Sequence, residues 1–196
     1  MVAYVFDDIL VKGIRTGQVP GRTVDARNWF RDKAKSKSVA PTSLISRNRA
    51  KQVRSVEDGS MYLFNYDPKF KKKLPYYDRF PLIFMIGGTQ SGFTGVNLHY
   101  LPLVLRAKLM DALYSLVSDN RYDEGTKLRI SYDILKSTAK YKEFKPCIKK
   151  YLGNHVRSSF LKIDPVEWDI ALFLPLQRFE KASTSTVYAD SRRMIA

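Results

Sequence analysis

Ser60-Met-Tyr-Leu-Phe-Asn-Tyr66, Leu82-Ile-Phe-Met-Ile86 and Gly92-Phe-Thr-Gly-Val-Asn-Leu98 decide how this chain is read. All three are short and rich in aromatic or β-branched residues, and each is bounded by turn residues, which marks β-strands. Asp67-Pro68 starts a turn after the first, and Lys69 to Lys73 forms a basic tip. Gly87-Gly88, between the second and third, reads as a hairpin connection. It lacks the Gly-Lys-Ser/Thr of a phosphate loop. Gly95, inside the third run, predicts a bulge or close packing. The centre of the chain is therefore expected to be a small, mostly antiparallel sheet.

Pro102 then opens the strongest helical pattern. Leu105, Leu109, Ala112, Leu113 and Leu116 recur at helical spacing between Leu103 and Val117, and predict one long helix against the sheet. Lys127 to Lys140 reads as a further helix, although Arg129 to Tyr132 also suits a strand. Val156 to Ile163 and Trp168 to Leu174 read as two strands or as a strand and a helix. Residues 1–21 predict a short strand or extended arm followed by a loop. Between 22 and 54, Thr23 is positioned to cap a helix carrying Ala26, Trp29 and Phe30. Thr42 or Ser43 would cap a second, ending near Arg54, with Pro41 between the two. The expected class is α+β, in three parts. Residues 1–55 form a basic N-terminal arm with short helices, 56–180 an α+β core, and 181–196 a polar, extended C-terminal tail.

The 196 residues are 44% hydrophobic and 13% aromatic, which excludes a fully disordered chain. No apolar run approaches the roughly 18 residues of a membrane helix. The first residues, Met-Val-Ala-Tyr-Val-Phe-Asp-Asp, carry acids where a signal peptide carries bases. One cysteine, Cys147, excludes an internal disulfide or a multi-cysteine metal site, and it reads as a buried structural thiol. No membrane partner, metal or cofactor is expected.

Charge is the clearest chemical signal. The net charge is +15 and the pI about 9.9, which predicts an anionic partner. Residues 22–54 hold ten cations: Arg22, Arg27, Arg31, Lys33, Lys35, Lys37, Arg47, Arg49, Lys51 and Arg54. Only Asp25 and Asp32 oppose them. Lys69, Lys71, Lys72, Lys73 and Arg79 form a second cluster. Lys136, Lys140, Lys142, Lys145, Lys149, Lys150, Arg157 and Lys162 form a third. Cations in separated segments suit phosphate contact through counterion release. No segment has base-reading spacing, so sequence-independent binding is expected. The arm and basic-tip cations are the expected nucleic-acid contacts. Trp29, Phe30, Tyr76, Tyr77, Arg192 and Arg193 are the expected contacts to partner proteins, because the stripes of 22–54 are too thin for a core of their own. Tyr62, Phe64, Tyr66 and Phe80, with Tyr76 and Tyr77, suit base stacking, but core and strand-pair packing is the preferred reading.

Catalytic signals are sparse. Asp133 followed by Glu143-Phe144-Lys145 matches a carboxylate and Glu-x-Lys set that holds Mg²⁺ in nucleases, provided that the Glu-x-Lys lies on a core strand. His99 and His155 have no metal-ligand spacing, and His99 reads as a satisfied, half-buried side chain.

Four stretches then carry a resemblance: Met61-Tyr-Leu-Phe-Asn-Tyr-Asp-Pro68, Leu74-Pro-Tyr-Tyr-Asp-Arg-Phe-Pro-Leu-Ile-Phe84, Gly95-Val-Asn-Leu-His-Tyr-Leu-Pro102 and Val187-Tyr-Ala-Asp-Ser-Arg192. Together they resemble the DNA end protector, or head-completion, family of T-even-like contractile-tailed phages, over about residues 55–194. The resemblance implies a non-enzymatic virion protein made in the host cytoplasm. It would sit on ends of packaged double-stranded DNA near the head–tail junction, beside portal, neck, tail or baseplate subunits. Two alternatives stand beside it: a baseplate or tail component whose basic arm docks on acidic subunits, and a metal-dependent nuclease.

Overall fold

The computed structural model describes residues 4–18, 23–117, 121, 123–138 and 140–196. Three helices come first: α1 (Asp7–Arg15), α2 (Val24–Lys35) and α3 (Pro41–Arg47). They lead into strands β1 (Gln52–Val53), β2 (Met61–Leu63), β3 (Tyr77–Asp78), β4 (Leu82–Thr89) and β5 (Gly92–Asn97). Helices α4 (Leu103–Val117) and α5 (Glu124–Thr138) follow, then β6 (Ile148–Leu152) and β7 (Phe160–Ile163). Helix α6 (Trp168–Phe173), strand β8 (Phe179–Glu180) and helix α7 (Thr184–Ile195) complete the chain. No described helix is long and apolar enough to cross a membrane.

Six strands form one antiparallel sheet in the order β1-β7-β2-β4-β5-β6, and β3 pairs with β8 in a separate ribbon. One face of the large sheet presents Met61, Leu63, Leu82, Phe84, Leu161 and Ile163 to the helices. The other presents Tyr62, Phe64, Ile83, Met85, Phe93, Tyr151 and Phe160 to one another. Neighbouring strands lie about 4.8 Å apart, so β5 and β7, three spacings apart, would be roughly 14 Å apart in a flat sheet. Yet the Phe93 and Phe160 ring centroids lie 5.6 Å apart, and those of Phe64 and Tyr151 5.4 Å. The sheet is therefore curled into a part-closed barrel with an aromatic interior. Tyr62, Phe64, Tyr66 and Phe80 thus serve as core, whereas Tyr76 and Tyr77 are half-buried.

Several elements differ from the sequence expectation. Residues 7–15 are helical, not extended. Asp7 and Asp8 occupy the first turn, Lys12 and Arg15 the last, and Ile9, Leu10 and Gly13 share the buried face. Helix α2 has the expected Thr23 cap, whose side chain accepts from the Ala26 N–H. Helix α3 instead starts on Pro41 and stops at Arg47, because proline suits the first helical turn. Residues 184–195 form α7, capped by Ser183 and buried at Val187 and Ser191, in place of an extended tail. The N-terminal segment is likewise a docked layer: Ile9, Leu10, Phe30, Ala34 and Leu44 belong to the same hydrophobic cluster as the sheet. Gly87 and Gly88 lie inside β4, and the hairpin turns at Gln90-Ser91. The bulge falls between Met85 and Gly87, whereas Gly95 is a close-packing site where a Cβ would meet Ile83 Cδ1 at 2.5 Å.

Candidate nucleic-acid interface

The cations of the N-terminal segment divide into two groups. Arg31 is buried: its Nε lies 2.9 Å from Asp169 on α6 and its Nη2 2.9 Å from Asp111 on α4. Arg27 binds the same Asp111 at 3.1 Å. These arginines bind α2 to α4 and α6 and offer a phosphate little exposed surface. Lys35 pairs with Asp32, Lys37 with Asp8 and Lys51 with Asp164. The Lys33 ammonium lies over the Trp29 ring. Arg47, Arg49 and Arg54 are exposed, with no ion pair among the described residues. Arg22 lies outside the described residues. Of the expected contacts in this segment, Arg27 and Arg31 are taken up in docking α2, Lys33, Lys35 and Lys37 stay on the surface, and Arg47, Arg49 and Arg54 are exposed without an ion pair among the described residues.

The partner-contact set divides in the same way. Phe30 is core and Trp29 packs edge-on against it, with centroids 5.0 Å apart. Tyr76 packs on Tyr100 and Phe179. Tyr77 pairs with Glu180 across the β3–β8 ribbon. Arg192 and Arg193 are exposed on α7, and Arg193 bonds Asp190.

The tertiary structure brings other cations to the walls of neighbouring grooves. The turn after Asp67-Pro68 exposes Lys69, Lys71, Lys72 and Lys73, and the Lys181 ammonium donates to the Lys72 and Leu74 carbonyls at its base. Two grooves adjoin this turn, and a third neighbours one of them. One, of about 410 Å³, is lined by Tyr66, Asp67, Lys71, Arg79 and Arg157 among others. A second, of about 480 Å³, runs from Arg157 to Arg54 along Gly153 and Ser158 to Phe160. The third, of about 350 Å³, lies between the turn and the edge strand β6, with Tyr66, Phe70, Tyr76, Lys149 and Lys150 in its wall. Tyr66 and Tyr77 are common to the first and third, and Arg157 to the first and second, so the grooves are neighbours.

Two acids temper that surface. Asp67 accepts from Lys71 at 2.9 Å and lies 3.8 Å from Arg157; the Lys71 hydrogen bond holds its carboxyl below the usual range. Glu180 lies 3.5 Å from Arg79. Lys149 stands 4.0 Å over the Tyr100 ring, and burial lowers its ammonium pKa.

Beneath the third groove is a buried polar network. Asp78 accepts from His99 Nδ1 at 2.7 Å, from Asn97 Nδ2 at 3.1 Å and from the Phe80 N–H at 3.1 Å. Asn97 also donates to the Tyr151 hydroxyl. His99 is fully buried rather than half-buried, and desolvation lowers its pKa, which favours the neutral ring. This network ties β3 to β5 and β6 and supports the groove from below.

A family model described as "Phage T4 terminal DNA protecting protein" matches residues 8–193. The chain belongs to that family. The match begins inside α1 and ends inside α7, so the family extends through the N-terminal helices as well as the sheet. No curated protein and no solved structure matches the chain. The family is thus a DNA-end-protecting phage family, and the recognition drawn from the four aromatic and proline-rich stretches holds.

Arg79, Lys149, Lys150 and Arg157 belong to the basic clusters visible in the sequence, but nothing local singles them out. Their convergence comes from the curl of the sheet, which brings residues 66–79 beside 149–160. The nuclease set is not assembled as its chemistry requires. Glu143 and Lys145 lie in a short 3-10 segment, Lys142–Cys147, rather than on a strand, and Asp133 lies exposed on α5. No cluster of potential metal ligands occurs among the described residues. Cys147 is buried, and desolvation pushes its thiol up to about 12.

Proposed function

We propose that this protein binds the ends of packaged double-stranded DNA without sequence preference. In this reading it shields them from exonucleases as a non-enzymatic component of the virion near the head–tail junction. The observation that supports this most strongly is the convergence of Arg54, Lys69, Lys71, Arg79, Lys150 and Arg157 on one run of grooves, in a chain of a DNA-protecting family. These cations come from segments roughly a hundred residues apart. Dense cations on a concave surface grip a phosphate backbone by displacing its counterions. Base edges need no part in such a grip.

The test is duplex binding across a salt series. Charge reversal of Arg54, Lys150 and Arg157 together is expected to weaken affinity at low salt by at least about tenfold. It should also flatten the salt slope by about one for each phosphate no longer gripped. The same reversal at Arg192 and Arg193 is expected to leave both unchanged. Wild-type affinity in the triple variant would refute the groove reading and return the cations to a role against acidic neighbouring subunits.

A further inference from the structure

The third groove differs in chemistry from the other two. Its wall is largely apolar, with Phe70, Leu74, Tyr76 and Tyr77 facing a space of about 350 Å³ and Lys69 and Lys150 at its rim. Phe70 is 56% exposed on the turn, and Lys69 lies over its ring. The space is at the small end of ligand pockets, fit for one nucleotide and closed to a duplex. Aromatic faces take a nucleobase of any sequence, and adjacent ammonium groups take its phosphate. The groove shares Tyr66 and Tyr77 with the first groove, which shares Arg157 with the one that reaches Arg54. A duplex held there would present its terminus to the pocket. The terminus is also where a base leaves the stack at the least cost.

We propose that the cavity between the 68–77 turn and strand β6 holds the unpaired terminal nucleotide of the DNA, with its base against Phe70, Tyr76 and Tyr77 and its phosphate at Lys69 and Lys150. The proposal rests on the groove reading above and adds how an end is distinguished from continuous duplex. The flanking grooves bind any duplex, and the pocket binds only what an end can supply.

The experiment uses the full chain and hairpin DNAs carrying 2-aminopurine as the unpaired last nucleotide, on the 3′ strand in one and the 5′ strand in another. A covalently closed dumbbell of the same sequence is the endless competitor. Wild type is expected to quench the terminal 2-aminopurine on at least one strand and to prefer the hairpin over the dumbbell by about tenfold, the worth of one stacked base. Phe70→Ala, on an exposed turn, is expected to lose the quenching and most of that preference while binding the dumbbell as before. Leu74→Trp, which fills the cavity instead of emptying it, is expected to do the same. Unchanged emission on both strands while DNA is bound, or an end preference that survives both variants, would overturn the proposal and leave the cavity to an apolar segment of a neighbouring subunit. Failure of the groove reading shows separately, as dumbbell binding that ignores reversal of Arg54, Lys150 and Arg157.

Discussion

Arg106 shows how much of this fold hangs on single polar residues. It is fully buried on α4 and has no carboxylate partner within hydrogen-bond reach among the described residues. Its guanidinium donates to the carbonyls of Leu101, Leu172 and His99 and to the Tyr188 hydroxyl, at 2.5 to 3.1 Å. One side chain thus joins α4, α6, α7 and the segment after β5. Arg106→Met would leave buried carbonyls without donors, so a loss of about 3–5 kcal/mol is expected in urea unfolding. Glu167 is the titrating counterpart. Its Oε1 accepts from the Phe6 N–H at the start of α1, its Oε2 is buried without a partner, and desolvation pushes its pKa up to about 7. A folded pKa above the ordinary 4.5 means that folding favours the protonated form. Stability from this group is full below about pH 4.5 and is lost as pH rises through 7. Glu167→Gln is therefore expected to unfold later than wild type at pH 8, by about 3 kcal/mol, with the difference vanishing near pH 4.5. Chemical denaturation at the two pH values measures it.

At the scale of elements, β6 forms one wall of the third groove, and two glycines of β5 set how closely β4, β5 and β6 pack. A Cβ on Gly92 would lie 1.9 Å from the Tyr151 carbonyl oxygen, a backbone atom that cannot yield without breaking the β5–β6 pairing. A Cβ on Gly95 would meet the end of the Ile83 side chain, which can move. Gly95→Ala is expected to cost about 1–3 kcal/mol and to be partly rescued by Ile83→Val. Gly92→Ala is expected to cost more, resist that rescue and speed amide exchange along β6. Element types were legible where one pattern dominated: α4 from its apolar spacing, β2, β4 and β5 from aromatic and β-branched runs, α2 from Thr23. They were missed at α1 and α7. Helix α1 is short but amphipathic, with Ile9, Leu10 and Gly13 on its buried face, a pattern passed over in the sequence, whereas α7 is polar and its narrow buried face, Val187 with Ser191, makes sense only against a surface supplied by distant residues.

For the whole molecule, the charge surplus is divided between two tasks. Arg27, Arg31 and Lys51 staple helices and turns to the body through Asp111, Asp169 and Asp164. Arg54, Lys150 and Arg157 stay exposed around the grooves. Asp67 sits among the latter as a fixed negative charge. Asp67→Asn is expected to raise duplex affinity about threefold at low salt and to lose that gain as salt screens the surface. Arg31→Met is expected to lower stability and leave the salt slope of DNA binding unchanged, since its guanidinium is buried against Asp169 and Asp111. Fluorescence anisotropy on a linear duplex at several salt concentrations checks both.

Composition and local pattern were enough for a mixed α/β chain with an antiparallel sheet and a large positive charge, because hydrophobic period and net charge are properties of the chain itself, while the family was legible only through the resemblance carried by four aromatic and proline-rich stretches. Which cations stay exposed around the grooves was decided by the folded structure alone. A lysine or arginine in sequence carries the same charge whether it faces solvent or an aspartate eighty residues away. Only the packing of α2 on α4 and α6, and the curl that brings β6 beside the 68–77 turn, assigns each charge to an internal pair or to the groove.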